Sequence, residues 1–140
     1  MKKFPWLAFC LIFLLTSCDD SDDKILPIDP DNLLIGHWSY RQSTEGNQST
    51  YQRVDQFIED EYGFLLDHNN QFIERRNAGW CGTPPMVLEN FEGTWEQEEN
   101  RINISVDNWN GEAHYTWEVI ELNEDQLVIK LVWDEYSQGN

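Results

Sequence analysis

The sequence predicts an all-β fold: an antiparallel meander that closes into an up-and-down β-barrel, with room for one short helix. Three observations predict it. From Leu33 onward, apolar residues recur at every second position, as in half-buried antiparallel strands. The alternating runs are short and are separated by short polar turns. One of those turns, Asn110-Gly111, is the strongest short hairpin signal available, because both central residues of a type I′ turn need positive φ. A meander with this many strands most simply closes into an up-and-down barrel or forms a strongly curved sheet.

The elements follow in order. Leu34, Gly36, Trp38 and Tyr40 share one face of the first strand. In the next segment Tyr51, Val54 and Ile58 fall near helical spacing and Thr50 is a cap residue, which allows one short helix over Tyr51 to Ile58. Tyr62, Phe64 and Leu66 alternate again. Asp67-His68-Asn69-Asn70 is a turn cluster, and Gln71 to Arg75 is the return strand. Phe91, Gly93 and Trp95 form the next face, and Glu98-Glu99-Asn100 turns the chain. Ile102, Ile104 and Val106 point one way, with Asn103, Ser105 and Asp107 on the other side. Past Asn110-Gly111, Ala113, Tyr115, Trp117 and Val119 come back. Asn123-Glu124-Asp125 turns once more, and Leu127, Ile129, Leu131 and Trp133 complete the set.

Ahead of this domain lie two segments of different character. Residues 1–17 combine Lys2-Lys3 with an apolar run from Phe4 to Leu15, then small residues. That is an export leader. The run is too short to span a bilayer, which takes roughly 20 apolar residues. Leu15-Thr16-Ser17-Cys18 resembles the lipobox of bacterial lipoproteins. The resemblance implies cleavage before Cys18, a diacylglycerol thioether on its sulfur and an acylated new N-terminus. The protein would then be anchored in a membrane through lipid, each buried methylene contributing about 0.8 kcal/mol. Residues 18–32 form an acidic, proline-punctuated tether, Asp19-Asp20-Ser21-Asp22-Asp23-Lys24 followed by Ile25-Leu26-Pro27-Ile28-Asp29-Pro30. Such a segment buries too little apolar surface to fold alone. Acidic residues after a lipidated cysteine mark surface lipoproteins in some Gram-negative lineages and inner-membrane retention in others. The expectation here is the outer membrane, on its periplasmic face or at the cell surface. Residues 33–140 are the folded domain.

Charge narrows the partners. The chain carries −17, and Lys2 and Lys3 leave with the leader while no acid does, so the mature charge is −19. Nucleic acid is disfavoured, since its binding needs Lys and Arg to neutralise phosphates. Cys10 lies in the leader and Cys18 takes the lipid, which leaves Cys81 without an intramolecular disulfide partner. The domain must therefore hold itself by packing, and of the chain's 7 Trp all but Trp6 of the leader supply large apolar area for that purpose.

The domain opens with Leu34-Ile35-Gly36-His37-Trp38, a Gly-x-Trp on the first strand. Later come Gly79-Trp80-Cys81-Gly82-Thr83-Pro84-Pro85, Gly93-Thr94-Trp95 and Ile102-Asn103-Ile104. That succession resembles the lipocalin-like domain of small bacterial lipoproteins, over roughly Leu33 to Trp133. The resemblance implies a barrel with Trp38 packed across its closed end and a ligand site at its mouth. The disulfide pair and later signatures of true lipocalins have no clear counterpart here.

The candidate ligand-binding residues are Tyr40, Phe64, Trp95, Tyr115, Trp117 and Trp133, an aromatic stripe suited to lining a cavity. The alternative is that the same rings fill a plugged core. No metal site is expected. His37, His68 and His114 stand singly on separate elements, with His37 and His114 at solvent-facing parity and His68 in a turn. Glu59-Asp60-Glu61 lacks the spacing of a calcium loop. Cys81 sits in a Gly- and Pro-rich loop with Arg75 and Arg76 near in sequence but no His, and is expected to be structural. No nucleophile elbow or phosphate loop is present, so neither a cofactor nor an enzyme activity is expected. The expected activity is noncatalytic binding of a small hydrophobic or amphipathic molecule in the barrel mouth, close to the membrane. The other reading is a filled barrel that serves as a structural or interaction module for another envelope protein.

Overall fold

A computed structural model describes residues 25–78, 86–108 and 111–138, with the side chains of 133–138 excepted. Cys18 and the leader, Cys81 with its Gly- and Pro-rich loop, Asn110 and the Trp133 side chain lie outside the described residues. Eight strands follow one another: β1 Gly36–Thr44, β2 Gln48–Val54, β3 Gly63–Leu66, β4 Gln71–Asn77, β5 Leu88–Glu98, β6 Arg101–Asn108, β7 Gly111–Leu122 and β8 Gln126–Gln138. They close into a barrel in the order β1-β2-β8-β7-β6-β5-β4-β3, with every neighbouring pair antiparallel. Each strand is paired on both sides, so the barrel has no open edge.

From β3 to β8 the chain is a plain meander. The first hairpin departs from it: β1 lies between β2 and β3, and β2 pairs with β8. That hairpin turns at Gly46 and Asn47, which take φ of 80° and 60°, values that glycine and asparagine tolerate better than most residues. The short helix allowed over Tyr51 to Ile58 is not formed. Tyr51 instead sits in β2 opposite Tyr40 of β1 and Leu127 of β8. Ser49, Thr50 and Tyr51 suit a pleated surface, and pairing on both sides overrides a helical spacing of three residues.

The inward rows form the core. Trp38, Phe64, Leu66, Phe72, Ile102, Val106 and Leu127 are almost fully buried, and each contributes about 1.5–3 kcal/mol by leaving water. Gly93 of β5 is wedged between β4 and β6, facing Phe72 and Val106. A β-carbon there would overlap the Ser105 carbonyl and the Val106 Cα, so only glycine fits.

The chain enters at the closed end. Trp38 stands across it as expected, its indole N–H donating to the Leu34 carbonyl at 2.9 Å. The Arg53 guanidinium lies 4.3 Å from the centre of the Trp38 ring. It donates to the carbonyls of Leu33, Ile35 and Glu124, tying the entering chain and the β7–β8 turn to the floor. Gly36, at φ 142°, leaves room for that guanidinium.

His37 corrects an expectation. Its parity does face outward, but it is only 1% exposed. Because β1 lies between β2 and β3, residues 55–62 must pass over the outside of β1 to start β3. Phe57 of that strap meets the His37 ring edge-on at 5.0 Å. Glu61 accepts from the Ser39 hydroxyl and pairs with Arg41 at 2.7 Å. Arg75 donates to the Glu59 carbonyl at 2.9 Å. Leu65 and Ile73, which continue the His37 row across β3 and β4, are also buried. The strap thus creates a second apolar layer outside the barrel.

Candidate functional site

The mouth is the end opposite the entering chain, between the β1–β2, β4–β5 and β6–β7 connections. Its charged groups come from one strand. In β4, Phe72, Glu74 and Arg76 share parity, so the row that begins with a core phenylalanine continues upward as a carboxylate and a guanidinium. Arg76 pairs with Glu74 at 2.8 Å and donates to the Tyr115 hydroxyl at 3.2 Å. It also donates to the Asp107 carbonyl at 2.9 Å and stacks 4.2 Å from the centre of the Phe91 ring. Burial raises the Glu74 carboxyl above its ordinary value, while Arg76 pulls the other way. Burial also pushes the Tyr51 phenol far up, and Glu74 adds to the effect.

Beneath these groups lies an aromatic floor. Phe64 contacts Trp117 at 5.0 Å and Tyr51 at 4.8 Å, and Phe72 meets Trp117 at 5.9 Å. Above the floor the mouth opens into two lobes that share Tyr51 and Glu74. The larger, about 320 Å³, is bounded by Tyr40, Phe64, Arg75 and Arg76. The smaller, about 210 Å³, is bounded by Tyr115, Trp117, Ile129 and Leu131. Together they suit a small ligand. A wider depression of about 520 Å³ lies on the outer face of β5 to β7, among Thr94, Asn103, Ser105, His114 and Thr116. It is an open, polar stretch of sheet surface with no convergent apolar wall. The mouth is therefore the better candidate despite its smaller volume.

Four of the six expected aromatic residues meet at the mouth. Tyr40 and Phe64 line one lobe, and Tyr115 and Trp117 the other. Trp95 does not join them. It is buried toward the closed end, where its indole donates to the Asp67 carbonyl at 3.1 Å and its backbone N–H to Asn70. Trp133 pairs through its backbone with Thr116. The sequence reading missed Tyr51, Glu74 and Arg76. The signal for the last two was present: Glu74 and Arg76 keep the parity of Phe72, an unusual place for charge. Tyr51 was hidden by the helical spacing around it.

The histidines stay apart. His68 lies in the β3–β4 turn, 3.6 Å from Asp29, and His114 lies on the outer face, 3.8 Å from Glu112. Among the described residues, no three His, Cys, Asp or Glu side chains gather in a group able to hold a metal ion. Comparison with known proteins adds one finding. Residues 34–129 match the family model of the lipocalin-like domain, a span that covers the mouth residues named above except Leu131. No curated protein and no solved structure matches the chain.

Proposed function

The chain belongs to the lipocalin-like domain family, and from that premise we propose that it is a noncatalytic binding protein that takes a small hydrophobic or amphipathic molecule into its barrel mouth. The observation that carries the reading is the pair of lobes above the Phe64–Trp117 floor, walled in part by aromatic rings, with Asn47, Ser49, Glu74, Arg75 and Arg76 as the other polar side chains among them. Sites of this kind bind by apolar burial and orient the ligand with those few groups.

The proposal includes the address. Cys18 carries the lipid, residues 19–32 are the spacer, and the head sits at the outer membrane, on its periplasmic face or at the cell surface. The described chain joins the barrel at its closed end, where Leu26 packs against the core. An anchor on that side favours a mouth turned away from the bilayer, rather than one opening toward it.

The test is a titration of the purified head, Asp19 to Asn140, with fatty acids, haem and other apolar envelope molecules, followed by Trp fluorescence. Saturable change that is lost in Trp117→Ala or Tyr115→Ala supports a carrier. The absence of any response sinks it and favours the second reading, an interaction module for another envelope protein. That reading draws on the exposed Tyr62, Met86 and Val87 at the mouth rim, with the Tyr62 hydroxyl 3.9 Å from the Met86 sulfur.

A further inference from the structure

The two lobes differ in charge. The larger is bordered by Glu74 together with Arg75 and Arg76. The smaller has Glu74 as its one charged side chain among the described residues. Its walls combine rings with Ile129 and Leu131, and the uncharged Asn47 and Ser49 also line it. Tyr115 and Trp117 lie parallel, 6.3 Å apart with 6° between their planes, and Tyr51 also lines the lobe. Ring faces carry negative potential and attract cations, most strongly where water is excluded.

Resting on the reading of the mouth as a ligand site, we propose that the smaller lobe receives a small organic ammonium group, held by the Glu74 carboxylate and the rings of Tyr51, Tyr115 and Trp117.

Further observations favour a cation over an anion. Arg76, the obvious receptor for a carboxylate, is committed on all sides: to Glu74, to the Tyr115 hydroxyl, to the Asp107 carbonyl and to the face of Phe91. It contacts Glu74 through Oε2, which leaves Oε1 uncommitted among the described residues. The whole chain, at −17, concentrates cations at its surface and repels anions. Burial also holds the Glu74 carboxyl above its ordinary value despite Arg76, an incomplete compensation that a second positive charge relieves. The volume, about 210 Å³, suits a compact methylated ammonium and not a long acyl chain.

The experiment is a calorimetric titration of the protein with choline, a quaternary ammonium probe, and with 3,3-dimethylbutan-1-ol, its neutral isostere. Choline is expected to bind saturably and at least about tenfold more tightly than the isostere. Glu74→Gln abolishes that preference. Tyr115→Leu, which removes a ring and keeps the carboxylate, weakens choline several-fold, and this variant decides alone if Glu74→Gln does not fold. Equal binding of the two probes overturns the ammonium site, as does a preference that survives in a folded Glu74→Gln or a choline affinity unchanged by Tyr115→Leu. Silence toward choline alongside binding of apolar probes also overturns it, while the mouth remains a ligand site. Silence toward choline, the isostere and every apolar probe removes both readings.

Discussion

Replacing Trp38 with Phe tests whether the closed end is a structural floor separate from the mouth. Trp38 is fully buried, donates to the Leu34 carbonyl and lies under the Arg53 guanidinium. Phenylalanine keeps a ring for Arg53 and cannot donate. Losing the hydrogen bond costs about 1 kcal/mol, and the Leu34 carbonyl stays buried without it. The smaller ring leaves a void of about 40 Å³, worth about 1 kcal/mol at the usual cost per unit of cavity. A weaker cation–ring contact adds about 0.5 kcal/mol. The expected loss is therefore about 2–3 kcal/mol, a large part of the roughly 5–15 kcal/mol that stabilises a domain. Urea unfolding followed by far-UV circular dichroism measures it, with the slope against denaturant unchanged and the midpoint lowered. Ligand titrations at the mouth should be unaffected under native conditions. A loss below about 0.5 kcal/mol would refute the account of the floor. Loss of mouth binding with stability intact would refute the separation of the two ends.

Gly93→Ala puts a methyl group into the backbone of β6, and a destabilisation of about 1–3 kcal/mol or more should appear in the same urea assay. Phe57→Ala uncovers His37 and loosens the strap, so the Tyr40 amide, which donates to the Tyr62 carbonyl at 2.8 Å, should exchange its hydrogen faster while the inner core amides stay protected. Two carboxylates should give opposite pH signatures in the unfolding free energy. Hydrogen bonds from Ser39 and Arg41 lower Glu61, so its contribution is present above pH 4.5 and fades as pH falls through its folded value, a loss that Glu61→Gln removes. Burial raises Glu74, so the fold gains stability as pH falls from its folded value toward 4.5, and Glu74→Gln flattens that gain. Cys18→Ser should leave the protein without its diacylglycerol mass and in the soluble fraction; a membrane-bound, lipid-bearing Cys18→Ser protein would refute the anchor.

Much of the architecture was legible because its signals are local. Period-two alternation over Ile102 to Val106 and Ala113 to Trp117 reports a strand whatever its neighbours. The Asp67 to Asn70 turn closes on itself, with Asp67 Oδ1 accepting from the Asn69 and Gln71 amides at 2.7 and 3.1 Å. The first hairpin was harder. Tyr51, Val54 and Ile58 at helical spacing pointed to a helix where the chain forms β2, a strand set by its pairing with β1 and β8. The candidate site was half legible: aromatic parity picked out Tyr40, Phe64, Tyr115 and Trp117, but not the charged pair that shares their cavity.

The sequence by itself determined the all-β class, the meander from β3 to β8, the burial of Trp38 and the strongly acidic charge. Each of these rests on composition or on residues close together in the chain. Only the tertiary structure decided that β1 lies between β2 and β3, that the resulting strap buries outward-facing His37, and that Trp95 belongs toward the closed end. It also decided that Tyr51 of β2, Glu74 and Arg76 of β4 and Tyr115 of β7 meet at one mouth. Those outcomes depend on which strands pair when the sheet closes, a condition imposed by contacts far apart in the chain that no local period encodes.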